Sequence, residues 1–297
     1  MNLNQIMLAE GVAGRDTVAL PRWTKKGISL TEFPSSCGTL LEALRAKNPL
    51  VQCITNDVSM NIAANVLLAA GASPAMVSAE EEAAEFARVA AAVTINIGTL
   101  WAADVPGMKG AAGAAKETGK PWVLDPVAHY ATSFRRQVVG ELLELQPTIV
   151  RGNASEIMAL AGLESRGQGV DSRDSSLAAE TAAVDLARRF ACVFAVTGEI
   201  DLVTDGRRRV WIEGGSTLMP KVTALGCALT CLTGAFAAVA PGRPLEATVT
   251  AMTLFAVCGE DASHRAEGPG SFPPLFLDAL AAIGPQRLES EARIRAE

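Results

Sequence analysis

The chain has 297 residues, of which 49% are hydrophobic and 20% are charged, proportions that are typical of a globular protein and exclude a disordered or collagen-like chain. Its formal net charge is −6 and it has no extended basic block, so we expect no nucleic-acid partner. Its longest apolar stretches fall short of the roughly 20 residues that a membrane helix needs, so we expect no membrane partner either.

Cysteine and histidine usage argues against a disulfide framework and against a zinc site. The six cysteines are scattered without a C-x-x-C pair, and the chain has only two histidines. No charged-then-apolar leader opens the sequence. We therefore expect a reducing, cytoplasmic compartment.

The first 36 residues show no sustained periodicity, so we predict an N-terminal extension at 1–36 and a single domain at 37–297. Within the domain, short apolar runs alternate with longer helix-like segments. The predicted strands are 50–54, 92–97, 122–124, 148–150 and 192–196, and the predicted helices are 62–70, 80–91, 111–118, 134–145 and 177–190. Because the strands are apolar on both faces, the pattern predicts a mostly parallel central sheet with helices on both faces, a three-layer α/β fold.

The pattern changes in the last third of the chain. Residues 201–204 and 210–213 flank the turn Asp205-Gly206, which predicts an antiparallel hairpin at the edge of the sheet. Three further helices are predicted at 226–239, 245–262 and 272–283, and a charged tail follows them.

The turn before the first of these helices is the strongest chemical signal. In the segment VTALGCA at 222–228, small residues open an Ala-rich helix at Gly226. Such a turn directs backbone N–H groups and the positive end of the helix toward one point, where a transferring phosphoryl group would be stabilised. A plain loop-to-helix junction is the alternative. Cys227 lies in the first turn, where the helix field is expected to lower its pKa, or it packs in the core on the same face as Cys231.

Two further segments offer oxygen ligands at the ends of predicted strands. Asn153 and Glu156 have the spacing of a capping box, or they present a carboxylate to Mg²⁺. Asp125, in an Asp-Pro pair, is an ordinary turn residue or holds the metal through water. Asn56 precedes the first predicted helix, and Met76 follows it as core filler or as the wall of a ligand site.

Taken in order, these segments resemble the hydroxyethylthiazole kinase family of thiamine salvage, whose members have a ribokinase-like fold. The resemblance runs from about residue 48 to 241. Its motifs are PLV at 49–51, ITN at 54–56, AAN at 63–65, LLAAGASPAM at 67–76, NIGTL at 96–100, DPV at 125–127, RGNASE at 151–156, VTGEID at 196–201 and the Gly226-Cys227 turn.

The resemblance implies an enzyme that transfers the γ-phosphate of ATP to the primary alcohol of hydroxyethylthiazole, with Mg²⁺, as a homotrimer. It also implies roles for individual residues. Cys227 is expected to be catalytic; Met76, Ala224 and Asn56 to bind the substrate; Arg135, Thr197, Asn153 and Gly226 to bind ATP; and Glu156 and Asp125 to hold the metal.

This chain departs from the family pattern in three places: members usually have His where Gln52 or Cys53 stands, a glycine-rich stretch where this chain reads AHY at 128–130, and Gly where Ala224 stands. An alanine at 224 weakens phosphate binding if the turn demands positive φ there. His129 and Tyr130 add bulk near the expected nucleotide site. Because fold does not fix substrate, one alternative is a ribokinase-like kinase of hydroxymethylpyrimidine or pyridoxal. The departures at 224 and 128–130 leave a second alternative, a small-molecule binder without catalysis.

Overall fold

A computed structural model describes residues 32–163 and 172–297. The strands are β1 Leu50–Ile54, β2 Ser73–Ala75, β3 Ala92–Asn96, β4 Trp122–Asp125, β5 Ile149–Asn153, β6 Val193–Thr197, β7 Ile200–Thr204, β8 Arg209–Glu213 and β9 Arg293–Ala296. The helices are α1 Glu32–Lys47, α2 Met60–Ala70, α3 Glu80–Val89, α4 Asp104–Glu117, α5 Ser133–Glu144, α6 Ala154–Leu160, α7 Ser172–Phe190, α8 Leu225–Val239, α9 Pro244–Arg265, α10 Phe272–Ala282 and α11 Pro285–Glu291.

These strands form one nine-stranded sheet in the order β2-β1-β3-β4-β5-β6-β7-β8-β9. All pairs from β2 to β6 are parallel, and the pairs from β6 to β9 are antiparallel. The interior strand β3 is buried along its whole length, as expected for a parallel strand that is covered on both faces.

Helices cover the sheet on both faces and divide the core in two. One hydrophobic cluster includes residues of α1, α2, α8, α9 and α10, and the other includes residues of α3, α4, α5 and α7. The predicted three-layer α/β fold is therefore confirmed. None of the helices in the described part of the chain combines the length and the apolar composition needed to cross a bilayer.

Several element boundaries differ from those expected. Helix α1 already begins at Glu32, and Phe33 is buried in the core, so residues 32–36 of the predicted extension are helical; residues 1–31 lie outside the described part of the chain. The predicted charged tail contains α11 and the edge strand β9. Strand β9 escaped prediction because its alternating Arg, Ile, Arg and Ala are paired with β8 only through the tertiary fold.

Candidate active site

The carboxyl ends of the parallel strands bring five polar side chains to one edge of the sheet. Asn56 follows β1, whereas Asn96, Asp125, Asn153 and Thr197 end β3, β4, β5 and β6. Neighbouring strands place Asn96 opposite Asp125 and Asn153 opposite Thr197 in register. This is the edge at which open α/β sheets bind their ligands.

Helix α8 begins at the same edge. Gly226 and Cys227 lie in its first turn, and a Cβ at Gly226 would come within 3.0 Å of Arg151 Nη1. Gly226 therefore allows the guanidinium of Arg151 to approach the helix N-terminus, where free backbone N–H groups and the helix dipole both favour an anion.

A chain of buried amides links Cys227 to Asp125. The amide nitrogen Nδ2 of Asn56 donates to Cys227 Sγ at 3.2 Å and to Asn96 Oδ1 at 2.9 Å. Asn96 Nδ2 donates in turn to Asp125 Oδ2 at 2.8 Å, and Thr230 Oγ1 donates to the same oxygen at 2.8 Å. The first turn of α8 and the Asp125 carboxylate are thus parts of one polar network.

Asp125 is fully buried, and its environment raises its pKa. Burial raises the pKa to about 6, while Arg151, with Nη1 3.5 Å from Asp125 Oδ2, opposes this rise. The second oxygen, Oδ1, is buried without a hydrogen-bond partner. A hard carboxylate oxygen that is oriented by its neighbours and left without a partner fits a Mg²⁺ ion or its bound water.

Glu156 has the geometry of the predicted capping box. Asn153 Oδ1 accepts from Glu156 N at 3.0 Å, and Glu156 Oε2 accepts from Asn153 N at 2.8 Å. Its other oxygen, Oε1, accepts from Ala128 N at 3.0 Å. The capping hypothesis is confirmed, and Glu156 also ties the loop after β4 to the start of α6.

A cavity of about 570 Å³ opens beside the start of α8. Its polar wall includes Arg151, Thr197 and Gly226, and its apolar wall includes Met252 and Phe255. Arg151 Nη2 donates to Thr197 Oγ1 at 2.8 Å, which holds the guanidinium at the polar wall. A volume of several hundred cubic ångströms with a few convergent polar groups is typical of a cofactor or nucleotide site.

Arg135, which was expected to bind ATP, is engaged elsewhere. It donates to the carbonyl oxygens of Ile97 at 2.7 Å, Val127 at 3.1 Å and Gly98 at 2.5 Å, and it does not line the 570 Å³ cavity. Arg151 is the cationic residue that sequence reasoning missed. Its signal was its place in the motif RGNASE, at the carboxyl end of a strand, where ligands bind.

The expected lowering of the Cys227 pKa is wrong. Burial and the nearby Asp125 carboxylate raise the pKa of the thiol, whereas hydrogen bonds from Asn56 and Asn96 and the charge of Arg151 lower it. The positive end of α8 therefore does not decide the protonation of Cys227, because desolvation of a half-buried thiolate costs more.

Two alanines, at positions where the family resemblance led us to expect glycine, have left-handed backbone. Ala224 has φ 65° and Ala128 has φ 47°, a conformation that costs a residue with a Cβ about 1–2 kcal/mol. The turn at 224 therefore does demand positive φ. The bulk expected from His129 and Tyr130 does not reach the 570 Å³ cavity, which neither residue lines.

Met76 follows β2 and is half-buried against the hydrophobic cluster on the α2 side of the sheet. It does not line the 570 Å³ cavity. Among the described residues, no group of three or more His, Cys, Asp or Glu side chains could hold a metal ion by itself. A Mg²⁺ ion that keeps several waters and phosphate ligands does not require such a group.

An arginine-lined cavity beside a helix N-terminus, at the ligand-binding edge of the sheet in a three-layer α/β fold, suits the phosphates of a nucleotide. Together with the comparisons that follow, it identifies the class of protein as an ATP-dependent small-molecule kinase with a ribokinase-like fold. Solved pyridoxal kinase from Staphylococcus aureus in complex with AMP-PCP and pyridoxal has this fold, with a TM-score of 0.57 at 14% identity over 84% of this chain and 98% of that one. The model of the hydroxyethylthiazole kinase family matches residues 41–286, and the chain belongs to this family.

Individual relatives agree with the family model. Hydroxyethylthiazole kinase of Rhizobium rhizogenes is 66% identical over 257 residues, which cover 86% of this chain and 96% of the relative. Hydroxyethylthiazole kinase of Cereibacter sphaeroides is 57% identical over 88% of this chain and 98% of the relative. The structure of the Pyrococcus horikoshii protein has a TM-score of 0.81 at 41% identity and covers 88% of this chain and 98% of that chain.

Proposed function

We propose that this kinase transfers the γ-phosphate of ATP to the primary alcohol of hydroxyethylthiazole, at the edge of the sheet where Cys227 and the 570 Å³ cavity flank the start of α8. The observation that carries the proposal is this arrangement: Gly226 and Arg151 line the cavity, and the adjacent Cys227 is hydrogen-bonded to the polar network on the sheet. One site can therefore hold a nucleotide and an alcohol on either side of the helix N-terminus.

In the proposed reaction, ATP occupies the cavity with its phosphates toward Arg151 and the N–H groups of the first α8 turn. The alcohol lies beside Cys227, with Asn56, Met76 and Ala224 at the substrate. Its oxygen attacks the γ-phosphorus while the bond to the β-phosphate oxygen breaks. The thiolate form of Cys227 accepts the alcohol proton, and positioning and charge stabilisation supply most of the rate enhancement.

Asp125 and Glu156 are the carboxylates that would hold Mg²⁺. Asp125 offers its unpartnered Oδ1 directly or through water, whereas both oxygens of Glu156 already accept backbone hydrogen bonds, so Glu156 acts on the metal through water or at a distance. When bound, Mg²⁺ neutralises the charge of the transferring phosphates. Asn153 and Thr197 complete the nucleotide side, and we assign the arginine role to Arg151 in place of Arg135.

We further propose that residues 37–297 act as one kinase domain within a homotrimer, as the family resemblance implies. A cytoplasmic location is supported by the cysteines, because all six are unpaired and five are buried, as is usual in a reducing compartment.

The test is steady-state release of ADP from Mg·ATP in the presence and absence of hydroxyethylthiazole. We expect release that depends on the alcohol and saturates with it. Release no faster than without the alcohol would favour binding without catalysis. Arg151→Met should raise the KM for ATP at least tenfold, since a charge-assisted hydrogen bond contributes about 1.5–3 kcal/mol; Arg136→Met, which removes an exposed arginine from α5, is the matched control.

A further inference from the structure

Asn96 occupies the centre of the buried amide chain, and none of the roles above uses it. Its side chain is 2% exposed at the end of β3. Its oxygen Oδ1 accepts from Gly98 N at 2.9 Å and from Asn56 Nδ2 at 2.9 Å, and its nitrogen Nδ2 donates to Asp125 Oδ2 at 2.8 Å. Every one of these partners is fixed by the backbone or buried.

The orientation of the Asn96 amide is determined from two sides. An ionised carboxylate such as Asp125 can only accept, so the Asn96 atom that faces it must be the nitrogen. The backbone N–H of Gly98 can only donate, so the Asn96 atom that faces Gly98 must be the oxygen. The amide of Asn96 cannot turn over without breaking both hydrogen bonds inside a buried site.

That orientation determines the orientation of Asn56. Because Asn96 presents an oxygen, Asn56 must face it with Nδ2, and the same nitrogen reaches Cys227 Sγ at 3.2 Å. Gly98 adds a steric constraint, since a Cβ at this position would lie 2.6 Å from Asn56 Nδ2. Asn56 is therefore held against the loop after β3 with its donor toward the sulfur.

The consequence for Cys227 is electrostatic. Four groups that lie in or directly after four different strands act on this thiol: Asp125 opposes the thiolate, whereas Asn56, Arg151 and Asn96 favour it. Burial also opposes the thiolate. If the Asn56 amide turned over, its oxygen would replace a donor at the sulfur and add to the repulsion from Asp125.

We propose that Asn96 is a positioning residue for the phosphoryl transfer. Its hydrogen bond to the Asp125 carboxylate fixes its own amide, its amide oxygen fixes the amide of Asn56, and Asn56 therefore always presents a hydrogen-bond donor to the sulfur of Cys227. The inference rests on the proposed function for its catalytic consequence. The arrangement of the thiol can be tested without any substrate.

The test uses Asn96→Leu, which keeps the branched shape of the side chain and removes both of its hydrogen-bonding atoms. Thr94→Val is the matched control, because Thr94 lies on the same strand, is 1% exposed and bonds to Cys231 rather than to Cys227. Alkylation of Cys227 by iodoacetamide at one neutral pH reports the thiol directly, since the other five cysteines are buried. We expect Asn96→Leu to slow alkylation and to lower kcat by about tenfold each, the effect of losing one hydrogen bond to a charged group, with both KM values changed less than about twofold.

A second comparison separates positioning from simple disruption. In an Asn56→Leu background, adding Asn96→Leu should change the alkylation rate less than about twofold, because Asn96 then has no Asn56 amide to orient. Circular dichroism confirms folding, and Asn96→Ser, whose side chain is too short to span both partners, replaces Asn96→Leu if that variant does not fold.

A folded variant at Asn96 with the native alkylation rate or native kcat would overturn the proposal, as would an undiminished tenfold loss in the Asn56→Leu background. If the native protein phosphorylates no alcohol, the proposed function fails, but the alkylation series still decides whether Asn96 positions the thiol.

Discussion

Replacement of Asp125 by asparagine should stabilise the protein and inactivate it. The folded protein binds the Asp125 proton with a pKa of about 6, against an ordinary value of 3.8. Folding therefore takes up this proton between these two pH values, so the stability contributed by the group falls as pH rises through this window. Well above pH 6 the ionised carboxylate of Asp125 lowers the free energy of unfolding by its full amount, which is about 3 kcal/mol for a pKa difference of about two.

The side chain of asparagine has the same shape but no charge, so it avoids this destabilisation and can keep the hydrogen bonds that Asp125 accepts. Its oxygen can accept from Asn96 and Thr230, as Oδ2 of Asp125 does now. The attraction to Arg151 is already contained in the pKa of about 6. The gain is offset in part because the amide nitrogen would replace Oδ1, which has no hydrogen-bond partner, and would be a buried donor without an acceptor. We expect a net gain of about 1–2 kcal/mol at pH 7.5, which is a rise in Tm of about 2–5 °C.

The assay is thermal unfolding in a chelating buffer at pH 5 and pH 7.5. At pH 5 the carboxyl is largely protonated in the folded state and about half of its cost is gone, so the net advantage of Asp125→Asn should fall close to zero. Asp185→Asn, which removes a charge from a side chain that is 70% exposed, should have no such effect. With Mg·ATP, Asp125→Asn should lose at least about 100-fold in kcat/KM. A lower Tm at pH 7.5, or a difference that does not change with pH, would refute the reasoning.

Three other variants test the site. Cys227→Ala should lower kcat about 100-fold or more with little change in substrate KM, because no proton acceptor remains, whereas Cys227→Asp should stay active. Steady-state kinetics on both variants test this prediction, and native turnover in the alanine variant would show that Cys227 only packs. Glu156→Gln should lose most activity, and its free energy of unfolding in urea should fall by about 1–2 kcal/mol, since one amide cannot accept from both Ala128 N and Asn153 N. Unchanged turnover at saturating Mg²⁺ would argue against a metal role for Glu156. Ala224→Gly should relieve the left-handed backbone and lower the KM for ATP severalfold, and a higher KM would show that the alanine is preferred.

Much of the fold could be read from the sequence because its signals are local. Strands such as β3 are apolar along their whole length, and the periodic helices between them fix the parallel connections. The strand ends also predicted that Asp125 and Asn153 lie at one edge of the sheet, where the structure adds Thr197. The short strand β2 was missed because Ser73–Ala75 has neither apolar alternation nor length, and only its pairing with β1 makes it a strand.

The limits of sequence reasoning at the site concern partners that only the tertiary fold supplies. Arg135 lies in the first turn of α5, whereas Arg151 lies near the end of β5. Only the fold shows that carbonyl oxygens occupy Arg135 while Arg151 lines the cavity. The pKa of Cys227 was misjudged for the same reason. The start of helix α8 is visible in the sequence, whereas the burial of the Cys227 thiol and the approach of Asp125 from the end of β4 are not.

The central claim is the identity of the alcohol, and a competition experiment tests it most directly. The purified protein would be incubated with Mg·ATP and equal concentrations of hydroxyethylthiazole, hydroxymethylpyrimidine and pyridoxal, and the phosphate esters would be quantified by mass spectrometry at low conversion. We predict that hydroxyethylthiazole phosphate forms at least tenfold faster than either other ester. Faster formation of pyridoxal phosphate or of hydroxymethylpyrimidine phosphate would contradict the proposed function.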